Sequence, residues 1–148
     1  MTDDFPIARP SDHRRPDGVD DTTVAALGLM SEALEMVERA RGHLYSFHQL
    51  IGGGDAKLSE AVEQLRDAGH TELAQRIEDT VIGLNVLSGR WTFQVVEEFD
   101  DGYWSTFRAV EREAREKLAG GVRHIHEAEM KEQRRTPGRP GHEAGPQS

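Results

Sequence analysis

Between Thr22 and Ile51 apolar side chains recur every three or four residues, the period of an amphipathic helix. Ala26, Ala33, Ala40 and Phe47 share one heptad position, Met30, Val37, Leu44 and Ile51 a second, and Leu29, Met36, His43 and Leu50 a third. Glu32, Glu35, Arg39, Gly42, Ser46 and Gln49 occupy the opposite face. The pattern predicts a long first helix over 22–51, about 40 Å of rod at 1.5 Å per residue. Its alanines permit close approach of a neighbouring helix. Asp20, Asp21, Thr22 and Thr23 are candidate N-caps. Gly52-Gly53-Gly54 can take the left-handed conformation of a C-cap and reads as the stop. Asp55 then opens a short helix to Ala68 with Leu58, Ala61, Val62 and Leu65 as its apolar stripe, ended by Gly69.

From His70 or Thr71 a second long pattern begins. Leu73, Ile77, Val81, Leu84, Ser88, Trp91, Val95 and Phe99 keep one helical phase, which predicts a helix from 71 to about 99 rather than two helices split at Gly89. Gly83 and Gly89 are taken as interruptions, each costing about 1 kcal/mol against alanine. Asp100-Asp101-Gly102 is the turn signal, and a last helix runs from Tyr103 to about Arg134, kinked or ended at Gly120-Gly121. The phase of Trp91, Val95, Phe99, Tyr103, Phe107, Val110, Ala114 and Leu118 also carries across 99–103, so a continuous helix through the turn is the alternative. Phe93, Val96 and Trp104 lie off that stripe, giving the segment two apolar faces and a need for more than one neighbour.

Proline supplies the frame. Pro6, Pro10 and Pro16 stand near the front, Pro137, Pro140 and Pro146 near the end, and none between. Because proline breaks helix interiors, the expected fold is all-α: a helical bundle of three long helices and one short helix with extended N- and C-terminal arms. The expected division is an extended polar arm over 1–21, a bundle domain over 22–134, and a Pro/Gly-rich basic tail over 135–148. Phe5 and Ile7 are candidates to anchor the front arm.

Composition narrows function by exclusion. The 148 residues carry a formal net charge of -9, whose field repels a phosphate backbone and disfavours nucleic acid as a partner. There is no cysteine, hence no disulfide and no thiolate chemistry. MTDDFPIARPSDHRRP lacks the apolar run of a signal peptide. No apolar stretch reaches spanning length. A cytoplasmic protein that does not enter membranes is expected.

Candidate chemistry is sparse. Glu97, Glu98, Asp100 and Asp101 crowd one short segment, and a divalent cation or shared proton would relieve their repulsion. His43 replaces an apolar residue on the first seam, so a metal site combining His43 with Glu32, Glu35, Glu97 or Asp101 is one reading. His124 with Glu127, and His126 with Glu129, stand three apart as ordinary helix pairs do. No glutamate is followed by histidine three residues on, and a di-iron carboxylate bundle requires that spacing twice. Zinc-finger, zinc-protease and nucleophile-elbow patterns are also missing. Arg14-Arg15 and Arg134-Arg135 could clamp an acidic body.

GRWTFQVVEEFDDGYW and the closing RRTPGRPGH resemble signatures of a small all-helical family of uncharacterised actinobacterial proteins. The resemblance spans most of residues 24–143. It implies a helical fold and brings no catalytic residue or cofactor.

The leading functional expectation is a non-enzymatic protein that self-associates, as a homodimer, and acts as a protein-interaction module. The alternative is a metal-binding four-helix-type bundle using His43 and the carboxylates named above. A third reading is a small-ligand pocket lined by Tyr45, Trp91, Tyr103 and Trp104.

Overall fold

A computed structural model describes residues 10–146; Phe5, Ile7 and the rest of the first nine positions lie outside the described residues. The fold is all-α, a helical bundle with one dominant helix and several shorter ones. A 3-10 turn at Pro10–His13 is followed by α1 (Asp21–Asp67), α2 (Thr71–Thr80), α3 (Thr92–Phe99), a π-helical turn (Asp100–Trp104), α4 (Ser105–Ala119) and α5 (Ile125–Arg134). Residues 10–36 and 107–146 belong to one compact unit, and Val37–Thr106 form the other.

Three expectations about helix boundaries are corrected. The glycine triplet does not stop the first helix: α1 runs through Gly52-Gly53-Gly54 and absorbs the expected short helix. Continuity costs roughly 1 kcal/mol per glycine. The far segment offsets that cost by burying Val62 to 2 % exposure while α2 buries Ala74 completely. The true stop is Gly69 at φ 90°, where His70 N donates to the Leu65 carbonyl at 2.8 Å, a Schellman-type closure that wants glycine.

The expected rod over 71–99 is broken. α2 ends at Thr80, and residues 81–91 form turns around one antiparallel bridge between Leu87 and Arg90. Gly83 and Gly89 sit at φ 75° and 71°, so both are turn glycines. α3 restarts at Thr92, with the Gln94 side chain accepting from the Trp91 amide at 2.7 Å, half of a capping box. Conversely, Asp100-Asp101-Gly102 is not a break. Backbone helicity passes from α3 to α4 through the π turn, which widens the helix and shifts which residues face inward. The layout of three long helices and one short one therefore gives way, among the described residues, to one very long α-helix and four shorter ones.

The first unit packs Val24, Ala119 and Ile125 together, with Val19, Leu27 and Val122 against them. Asp20 caps α1 by accepting from the Thr23 amide at 2.7 Å, and hydrogen bonding from the Thr23 side chain, with that from its amide, lowers the Asp20 pKa. α4 ends at Gly120-Gly121, where Gly121 N donates to the Arg115 carbonyl at 3.1 Å. The front segment is tied down: Arg15 forks onto Glu129 of α5 with both contacts at 3.0 Å and reaches Asp21 at 2.6 Å. His13 Nδ1 lies 2.7 Å from the Arg123 carbonyl.

Candidate interaction face and apolar cavity

On α1, Leu27, Met30 and Leu34 of the first unit and Val37, Arg41, Leu44 and His48 of the second are half-buried, each within its own unit. The row expected to complete the seam points elsewhere. Leu29 and Met36 are each 66 % exposed and Leu50 is 74 % exposed, with His43 exposed between them. Ala26 and Ala40 beside that row are exposed too, and Ala33 is half-buried.

A comparable displacement occurs along 91–119. Val95, Phe99, Phe107 and Ala114 of the expected stripe are half-buried, but Trp91, Tyr103, Val110 and Leu118 are exposed, whereas Thr92, Val96, Glu111 and Ala119 are buried. Polar pairing explains part of the offset in the second unit. His48 Nδ1 and Thr92 Oγ1 are 2.7 Å apart. Arg41 forks onto Asp100 at 2.7 and 3.0 Å. The same guanidinium lies 3.9 Å over the Trp104 ring and 5.0 Å over Tyr45, favourable cation–π geometry. The Trp104 indole donates to Glu38 at 2.9 Å. Arg41 thus knits α1 to the π turn. It was overlooked in the sequence, although a cation in the row of Leu27, Leu34 and His48 was the available signal.

Two of the four clustered acids have arginine partners. Asp100 is neutralised by Arg41, whose hydrogen bonds hold its carboxyl below the usual range, and Glu98 is paired with Arg90. Glu97 and Asp101 are left exposed. His43, Glu32 and Glu35 are exposed as well; Glu32 and Glu35 fall in the first unit and His43, Glu97 and Asp101 in the second. Among the described residues no group of three or more His, Asp or Glu side chains could hold a metal ion. His124 and Glu127 approach only to 3.9 Å, and Glu129 is taken by Arg15 rather than His126.

No family model, no curated protein and no solved structure matches this chain. The site must therefore be read from its own geometry. No helix among the described residues is long and apolar enough to cross a membrane.

The second unit also holds a half-open cavity of about 540 Å³ between α1, the 81–91 turns and the start of α3. Ile51, Leu58, Val81, Leu84, Trp91 and Phe93 supply its apolar walls. Gly52 and Gly54 line it, and a Cβ on either would meet nothing within 4 Å. The Trp91 indole donates to the Leu84 carbonyl at 3.1 Å, which fixes the ring as a wall. Of the four aromatic residues expected around a pocket, Trp91 lines this cavity; Tyr45, Tyr103 and Trp104 do not.

Proposed function

We propose that this chain works by self-association, with the exposed apolar row of α1 as the face that joins two copies. The observation that carries the reading is the exposure of Leu29, Met36 and Leu50 at one heptad position of an unbroken helix, with His43 exposed at the same position between Met36 and Leu50. Covering such a side chain is worth about 1.5–3 kcal/mol when it goes from water to full burial. Two copies contribute every residue twice, enough to oppose the roughly 4–15 kcal/mol cost of association. The lack of cysteine suits a reducing, cytoplasmic setting. Membership in the small all-helical actinobacterial family that GRWTFQVVEEFDDGYW resembles is proposed on those residues alone and adds no activity.

Sedimentation equilibrium tests the reading. The protein should be dimeric at about 10–100 µM, and Met36→Glu, which puts a charge in the seam, should shift it to monomer. A wild-type monomer throughout that range refutes self-association.

A second reading, a site for a small uncharged apolar molecule, is favoured by the cavity. Its size falls in the range of about 300–1,000 Å³ typical of ligand sites. Titration with the neutral fluorophore N-phenyl-1-naphthylamine should saturate at one per chain. Gly52→Leu, which projects into the cavity, should abolish the signal; an unchanged titration refutes this reading.

A further inference from the structure

Resting on the self-association just proposed, we infer that two α1 helices pair antiparallel, in a register that sets Glu32 of one copy beside Arg39 of the other. The argument begins with residue size. α1 is one unbroken helix, so its residues keep their angular relation whatever packs on it. Ala26, Ala33 and Ala40 occupy one seam position, and Leu29, Met36 and His43 the other. In a parallel pair each position meets itself. Alanine would face alanine, large would face large, and the layers would alternate between voids and crowding. In an antiparallel pair one position meets the other, so every layer sets a small residue against a large one. Ala26 faces His43, Leu29 faces Ala40, and Ala33 faces Met36, each layer repeated by the two-fold axis. The contact extends over about 26 Å of helix at 1.5 Å per residue.

Charge then selects among antiparallel registers. Glu32 and Arg39 occupy the position flanking the large row, and flanking residues meet across the partner helix. Both are exposed, and neither takes part in an ion pair within the chain among the described residues. In the register above, Glu32 lies beside Arg39 of the partner, twice. Sliding one helix by a heptad in one direction sets Glu32 against Glu32. Sliding it the other way sets Arg39 against Arg39 and opposes Leu29 to Phe47. A parallel pair would instead lay Glu32 against Val37 and Arg39 against Leu44. Only one arrangement satisfies both size and charge.

The experiment is a charge swap read by sedimentation equilibrium, with far-UV circular dichroism confirming helicity. Glu32→Arg and Arg39→Glu each create two like-charge pairs per dimer and should weaken dimerisation by roughly tenfold or more. The double variant restores opposite charges in reversed order and should return to within about threefold of wild type. A wild-type dimer left unchanged by either single variant, or not rescued by the double, overturns the register while self-association stands. A wild-type monomer overturns both.

Discussion

Gly53 lies in the interior of α1, although three consecutive glycines are a poor helix segment. Gly52, Gly53 and Gly54 all have φ outside the left-handed region, and a Cβ on any of them would meet no heavy atom within 4 Å. Neither conformation nor close packing within the chain calls for glycine. Alanine at each site should therefore recover close to the full propensity difference, about 0.8–1 kcal/mol, and the triple substitution about 2–3 kcal/mol. For a chain of this size that corresponds to roughly 2–4 °C of melting temperature per kcal/mol. Urea unfolding followed at the helical circular-dichroism band is the assay, with Gly28→Ala as the comparison. There the new Cβ would lie 3.3 Å from both Cβ and Cγ of His126, so that variant should gain less than the triplet variants. A neutral or destabilising Gly53→Ala would refute the reasoning, because it would mean α1 is broken at the triplet or that something lies against it.

Two further outcomes follow from local chemistry. Asp20→Ala removes the side-chain acceptor for the Thr23 amide and should cost about 1 kcal/mol by the same unfolding assay. Arg41 lowers the Asp100 pKa, chiefly through hydrogen bonding. The folded state therefore binds that proton less readily than the unfolded chain: the pair's contribution is complete above the unfolded value of 3.8 and disappears as pH falls through the lower folded value. Stability of wild type relative to Asp100→Asn should thus be flat from neutral pH down to about 4 and decline below it, as checked by unfolding across pH.

The helical character of most of 21–134 was legible from periodicity, and the ends at Gly69 and Gly120-Gly121 from glycine placement, whereas the turns over 81–91 were not. Gly52-Gly53-Gly54 and Gly69 were both read as stops, yet of these four only Gly69 adopts positive φ. The difference is that residues beyond the triplet gain burial by continuing the helix, a benefit local propensity does not contain. Gly83 and Gly89 show the reverse, since an unbroken apolar phase ran across both and the backbone turned at each. The candidate metal residues were read from heptad position and helical spacing, which cannot show which carboxylates meet a cation; Asp100 and Glu98 of the acidic crowd acquired arginine partners from α1 and the preceding turn.

By itself the sequence determined that the chain would be helical, that it would lack thiol chemistry, and which residues could share a helix face, because period and composition are local properties. Tertiary structure alone decided which face turned inward. Arg41 with Asp100 and His48 with Thr92 pulled a partly polar side of α1 and α3 into the second unit. Leu50 of the same unit was left outward, because burying charged and polar groups is tolerable only where partners meet them, and those partners are distant in sequence.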